Sequence, residues 1–211
     1  HILARRQRQM CIRDSLIRGQ HNLKLFKSRY PNVLLSGTIG NFDGLHLGHQ
    51  AILEKIKNNA QEYNAKTIVF FTEPHAAEYF SKVRDKNQIP PPRICPWREK
   101  FQLLKKSKID FACFLKFNSK LRTMSPDDFI SQILDSINLV SFTVGDDFRF
   151  GAGRKGDTDL LKNWGEKKGI LVENTETITL DGQRVSSTRI REELLNNNFN
   201  NAEKLLSLIH I

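Results

Sequence analysis

Residues 33–72, VLLSGTIGNFDGLHLGHQAILEKIKNNAQEYNAKTIVFFT, hold two strands, a glycine-bearing turn and a helix in one unbroken order. Val33 to Ile39 is a short apolar run that reads as a buried strand. Gly40 to Gly44 reads as a turn, and Leu47 to Tyr63 as a helix with Ile52, Ile56, Ala60 and Tyr63 on one face. Thr67 to Thr72 is a second strand, rich in β-branched and aromatic residues. Strand, helix and strand at this spacing make a right-handed βαβ crossover, with both strands parallel and the helix on one sheet face.

Outward from this unit the alternation of short strand-like runs with amphipathic stretches continues, the pattern of an α/β layer fold. Trp97 to Lys106 is predicted as a helix and Phe111 to Phe117, FACFLKF, as a strand. Ser125 is expected to cap another helix, with Pro126 at its first position and Asp128 completing a capping box. Its buried face is Phe129, Ile130, Ile133, Leu134 and Ile137. Phe142 to Val144 reads as a fourth strand, followed by a glycine-rich loop, a helix from Asp159 to Lys167 and a hairpin turning at Asp181-Gly182. The last clear helix is predicted from Ser187, and the run NNNFNN over 196–201 as a turn. Glu73 to Pro92 reads as a proline-rich loop, longer than a connector requires and therefore of functional interest.

With 211 residues, 39% of them hydrophobic, the chain can build one large or two small domains around a real core. Three widely spaced cysteines, Cys11, Cys95 and Cys113, make neither a disulfide framework nor a CxxC metal pair, so a reducing, cytoplasmic compartment is expected. The sequence holds no run of about eighteen apolar residues, and the segment after His1 has no signal-peptide core, so no membrane partner is expected. The formal charge of +10 suits a phosphate-bearing partner. Residues 1–18 supply five Arg and one Asp of it, leaving 28 basic against 22 acidic side chains, or +6, on the remainder. That arm lacks apolar periodicity and reads as non-native or disordered sequence, as do the last residues, 207–211.

Gly37 to Gln50, GTIGNFDGLHLGHQ, lies between a predicted strand and a helix start, where α/β folds bind phosphate. Gly40 and Gly44 let backbone approach a ligand, and the first helical turn offers free N–H groups. His46 and His49, three apart, share a helix face and can reach one phosphate, with a charge state adjustable near neutral pH. A capped helix start with surface histidines, or a metal pair, is the bland alternative; HxxH lacks a third ligand at fixed spacing. Downstream, Ser186, Ser187 and Thr188 are N-cap residues suited to receiving a polyphosphate at a second helix start, or merely an ordinary basic capped helix.

GNFDGLHLGHQ resembles the signature of the HxGH nucleotidyltransferases, and in wording the prokaryotic bifunctional riboflavin kinase/FAD synthetase family. FTEPHAAEYF (71–80) is similar to that family's proline-containing flavin-side loop, GDDFRFGAGRKGD (145–157) to its phenylalanine and glycine loop, and VSSTRIREEL (185–194) to its SSTxIR motif. The likeness extends roughly from Val33 to Leu206. It implies a Rossmann-like nucleotidyltransferase fold, mostly parallel with helices on both faces and a small hairpin or loop insertion on the flavin side, in a domain over 19–206. It implies transfer of AMP from ATP to FMN, giving FAD and pyrophosphate, with Mg²⁺ held mainly through phosphates and no protein metal ligand assigned. Carried over by position, His46, His49, Asn41 and Asp43 serve the reacting centre, Asp43 being equally readable as a turn residue. Gly40, Phe42, Gly44, Gly48, Arg184, Ser186, Ser187, Thr188 and Arg191 would meet ATP. Phe71, Pro74, His75, Asp147, Phe148, Gly151 and Arg154 would meet flavin, although Phe148 also suits the core. Ala76 stands where the family commonly has a second proline. The family's riboflavin kinase barrel should follow near Leu206, so this chain is expected to hold at most the adenylyl-transfer half, with the kinase domain in cis in a full-length form.

Three other readings stay open at the level of sequence. GAGRKG (151–156) satisfies GxGxxG, yet GDDFRF separates it from the preceding strand, against a dinucleotide-binding dehydrogenase. Another phosphate acceptor, such as a pantetheine or nicotinamide nucleotide, would use the same HxGH chemistry. A basic RNA-binding module would lean on the arm, and nucleic acid is accordingly not expected as a partner.

Overall fold

The computed structural model describes residues 15–83 and 89–207. Among these, β1 (Leu16–Arg18), β2 (Leu35–Ile39), β3 (Lys66–Glu73), β4 (Phe111–Lys116), β5 (Leu139–Gly145) and β6 (Leu171–Thr175) form a sheet in the order β1-β4-β3-β2-β5-β6. Every neighbouring pair is parallel. The helices are α1 (Gly19–Arg29), α2 (Leu47–Glu62), α3 (Ala76–Val83), α4 (Trp97–Lys106), α5 (Ser119–Thr123), α6 (Pro126–Phe129), α7 (Thr158–Lys168), α8 (Ser187–Leu195) and α9 (Phe199–Leu206). A small antiparallel hairpin, β7 (Thr179–Leu180) with β8 (Gln183–Arg184), leads into α8.

Period-two alternation explains why both faces are covered. In β3, Ile68 and Phe70 join one apolar cluster and Val69 and Phe71 the other, all four fully buried. The first cluster takes Leu23 and Phe26 of α1, Ile133 from the turn after α6, and Leu161 and Trp164 of α7. The second takes Leu53 and Ile56 of α2 and Leu104 of α4. The expected α/β architecture, with helices on both faces of a parallel sheet, is thus observed. Beneath α2 the strands carry small polar residues: Ser141 donates to Ser36 at 2.7 Å, and Thr38 stands beside Thr143 in register.

Local signals behave as their chemistry requires. Ser125 accepts from the Asp128 N–H at 3.0 Å and donates to its carboxylate at 2.7 Å, starting α6 as a capping box. The helix then widens into a π turn over Ile130–Leu134, which keeps Ile130, Ile133 and Leu134 buried. Asp157 caps α7 through Leu160 N–H.

Three expectations are corrected. The loop read over 73–92 contains α3, because Tyr79 and Phe80 pack edge-on with each other and with Phe117. The asparagine run turns over 196–198, but Phe199–Asn201 already belong to α9, whose Ala202 and Leu205 are buried. The arm read over 1–18 ends inside the sheet: Leu16–Arg18 pair with Ala112–Phe114, and Ile17 is buried. Its first fourteen residues, and 208–211, lie outside the described residues. Finally, β6 and α1 were not read, since LVENT and GQHNLKLFKSR are too polar to announce themselves. Among the described residues no helix is long and apolar enough to cross a membrane.

The strand order places β2 between β3 and β5, so the chain departs in opposite directions from their carboxyl ends. A crevice at such a reversal is where open parallel sheets bind ligands.

Candidate active site

The turn after β2 delivers two imidazoles to the start of α2. His46 is the N-cap, its Nδ1 accepting from the His49 N–H at 3.3 Å. The two rings stack at 3.7 Å with an 18° tilt, and His49 also meets the Phe42 ring at 4.9 Å. His49 Nδ1 is buried with no hydrogen-bond partner. Gly48 keeps the cap open: a Cβ there would come within 3.2 Å of the His46 ring.

The start of α8 meets the same turn. Ser187 Oγ donates to the Asp43 carbonyl at 3.0 Å, and Ser186 caps α8 through Arg189 N–H. A Cβ on Gly48 would lie 3.7 Å from the Val185 carbonyl. Gln50, in the first turn of α2, donates to the Leu206 carbonyl at the end of α9. Two helix amino termini, separated by well over a hundred residues in sequence, therefore open side by side, an arrangement suited to an extended polyanion.

Asp43 holds this junction together. It is 1% exposed, and its carboxylate accepts from Ile94 N–H at 3.1 Å, Cys95 N–H at 3.0 Å and Arg191 at 2.6 Å. Arg191 also donates to the Pro92 carbonyl at 2.6 Å. Arg93, the next residue, grips Glu73 at 2.7 and 3.0 Å and pairs with Glu78. Residues 92–95 thus form a strap tied at once to the turn after β2, to α8 and to the end of β3. Gly44 allows the close approach, having φ +84° and Ile94 within 2.8 Å of where its Cβ would be.

On the other side of the strap lies a charge that sequence reading missed. Lys100 of α4 is fully buried, donating to the Asn41 carbonyl at 2.5 Å, contacting His75 Nε2 at 3.0 Å and lying 4.9 Å from the centre of the Phe71 ring. The signal was present: in WREKFQLL, Lys100 occupies the stripe shared by Trp97, Phe101 and Leu104, where an unpaired lysine does not belong.

The loop after β5 is more open. Arg184 pairs with Asp147 at 2.9 Å and Asp146 at 3.4 Å. Phe148 stacks on buried Phe150 at 5.7 Å, and Phe150 closes the loop by pairing with Gly156. GAGRKG is therefore a closed 3₁₀ turn before α7 and does not run from a strand directly into a helix, so it lacks the dinucleotide fingerprint's geometry.

Burial, aided by the Arg184 cation and opposed by Asp43, pushes the His46 imidazole down to about 4. Burial, then His46 and Lys100, hold His49 well below the usual histidine range. His75 is lowered by burial and by Lys100 and Arg93. The expectation of imidazoles adjustable near neutrality is corrected: burial favours the neutral form of both rings, and the positive charge around them belongs to lysine and arginine.

Several predicted residues sit differently from expectation. Phe42, in the turn after β2, and Phe71, on β3, expected at ATP and flavin, have fully buried rings in the α2–α4 cluster. Asp43 and Arg191, expected at the reacting centre and at ATP, neutralise each other. Arg184 and Asp147, expected at different substrates, pair together. Gly151 abuts Pro126, 2.8 Å from its would-be Cβ, and Arg154 is exposed with φ +58°. Pro74 is joined to Glu73 by a cis peptide bond and leads directly into His75. Asn41 and Thr188 are exposed at the two mouths, and Gly40 is half-buried over the Phe42 ring. Among the described residues no cluster of three or more His, Cys, Asp or Glu side chains could hold a metal ion.

Comparison with known proteins agrees with this geometry. Residues 32–189 match the FAD synthetase family. The chain is 38% identical over 195 residues to a bifunctional riboflavin kinase/FMN adenylyltransferase of Haemophilus influenzae, covering 90% of this chain and 59% of that protein. It is 38% identical over 192 residues to the protein of that name from Escherichia coli, covering 90% and 58%. The chain thus spans somewhat over half the length of these relatives. Among solved structures, a Streptococcus pneumoniae protein described as a macrolide-efflux protein superposes with a TM-score of 0.75 at 22% identity, covering 91% of this chain and 61% of that one. A pantoate-beta-alanine ligase from Francisella tularensis gives 0.52 at 15% identity, covering 92% and 84%. At those identities the two structures speak for the fold alone. The family match over residues 32–189, which span the turn, the strap and the start of α8, identifies this protein as a member of the FAD synthetase family.

Proposed function

We propose that this chain transfers the adenylyl group of ATP to the phosphate of FMN. An FMN phosphate oxygen attacks the α-phosphorus, the bond from that phosphorus to the oxygen bridging the β-phosphate breaks, and FAD and pyrophosphate result. The nucleophile needs no strong base, because a phosphate monoester with a second pKa of about 6 is largely ionised at neutral pH. Catalysis then reduces to positioning and charge stabilisation.

The observation that carries this reading is the junction of the two helix mouths, with Ser187 hydrogen-bonded to the Asp43 carbonyl beside the stacked imidazoles. The uncapped backbone N–H groups at 47–48 and 187–188 would hold the triphosphate, those of His49 and Arg189 being taken by the caps. Burial favours neutral His46 and His49; approaching phosphate charge favours their protonated forms, which would stabilise the departing pyrophosphate. The loop over 146–154, with Phe148 and Asp147, and the loop carrying Pro74 and His75 would receive the flavin. Asp43 has both oxygens engaged, so it does not fit a resident magnesium site, and Mg²⁺ is assigned to ATP as its phosphate-bound counterion.

We place the reaction in the cytoplasm, supported by the unpaired, buried Cys95 and Cys113. A riboflavin kinase module in cis in a longer form is supported by the names and lengths of the relatives. The test is incubation with FMN, ATP and Mg²⁺ followed by chromatography. FAD and pyrophosphate in equal amounts are expected; pyrophosphate released only with a pantetheine or nicotinamide nucleotide would replace FMN as the acceptor.

A further inference from the structure

We propose that Lys100 is a positioning residue for adenylyl transfer, its buried ammonium tying the phosphate-side turn, through the Asn41 carbonyl, to the His75 ring of the opposite loop. The inference rests on the adenylyl-transfer reading and adds to it a residue outside the family motifs quoted above.

The geometry argues for it. An ammonium with no exposure loses the hydration of a strongly charged group, which a fold tolerates only where that charge is well coordinated. Here the coordination comes from two loops that the proposed reaction must bring together. The Asn41 carbonyl, 2.5 Å away, belongs to the turn leading into the paired imidazoles. His75 Nε2, 3.0 Å away, belongs to the loop leaving β3. The Phe71 face supplies a third, electrostatic contact beneath. A single nitrogen therefore sets the spacing between the turn expected to hold the nucleotide and the loop expected to hold the flavin. Transfer between two bound phosphates is sensitive to spacing at the level of about one ångström.

The same contact selects a tautomer. An ammonium has only donors, so Nε2 of His75 must accept, leaving the ring proton on Nδ1. Burial pulls the Lys100 ammonium below the usual lysine range; of the charged groups facing it, Asp43 and Glu73 favour its charge and Arg93 opposes it, while His75 and His49 in turn feel the lysine.

The first measurement uses the isotope-labelled wild-type chain without substrates. Two-bond proton–nitrogen spectra near neutral pH, with His75 assigned through His75→Gln, should show the Nδ1–H form; the Nε2–H form overturns the proposal. The second uses Lys100→Met, which keeps the length and removes the charge. Its kcat for FAD formation should fall by about 100-fold, while KM for ATP and for FMN each stay within about threefold. His75 should lose its tautomer preference in that variant. Undiminished kcat in a folded Lys100→Met overturns the proposal, and if that variant does not fold, the wild-type tautomer decides. Because the tautomer is read without substrate, its outcome is separate from any failure of the wild type to make FAD.

Discussion

The loops that follow β2 and β5 carry the same punctuation, GNFDGLH over 40–46 and GDDFRFGAGRKGD over 145–157, and end up as opposites. In the first, Phe42, Asp43, Leu45 and His46 are buried, and the acidic side chain receives hydrogen bonds from two N–H groups and a guanidinium. In the second, Asp146, Asp147, Arg149 and Arg154 are exposed, and the ion pairs to Arg184 lie at the surface. Glycine frequency thus says where the chain turns, and burial decides what the turn is for. The first loop is buried and cross-tied; the second is exposed and held by surface ion pairs.

The largest effect should come from the buried loop. His49→Ala should reduce FAD formation by about 1,000-fold, the scale of losing a preorganised group at a developing charge. The variant should stay folded with a modestly lowered unfolding midpoint, because the ring contacts to His46 and Phe42 are lost but no hydrogen bond at His49 Nδ1 is. Normal turnover in that variant would remove the imidazole pair from the mechanism.

Asp43→Asn tests whether the tie is structural. It leaves Arg191 facing an amide in a buried setting, and unfolding in urea should show a loss of about 3–5 kcal/mol. A loss no greater than that of a surface pair would erase the contrast between the loops.

The third effect is a pH dependence of stability. His46 takes a proton below about 6.5 when unfolded and only below about 4 when folded, so the unfolded state binds more protons between these values. Stability from this ring is complete above that window and is lost as pH falls through it, on the order of 3 kcal/mol at most. Urea titrations at several pH values should show the fall, and a flat profile would contradict a buried neutral ring.

Gly44→Ala should cost about 1–3 kcal/mol, since the new methyl meets Ile94 and the backbone sits at positive φ. Asp147→Asn closes the series. Its pair is largely exposed, so the stability change should stay below about 1 kcal/mol and vanish with added salt.

Much of this molecule was legible from its letters. The crossover over 33–72, the capping boxes, the hairpin at Asp181-Gly182 and the imidazoles at a helix start all depend on residues within a few positions of one another. Less was legible where polar sequence forms sheet or helix, as in LVENT of β6 and GQHNLKLFKSR of α1, because long-range pairing and packing supply what local propensity lacks.

By itself, the sequence determined the parallel α/β plan and the position of the histidine-bearing turn between β2 and α2, since periodicity and capping are short-range consequences of backbone geometry. Only the tertiary structure decided that Asp43 clamps a strap, that Lys100 lies buried between two loops, and that the start of α8 meets the start of α2. Those outcomes depend on contacts between residues 25 to 148 positions apart, where burial and electrostatics, not local pattern, set each side chain's role.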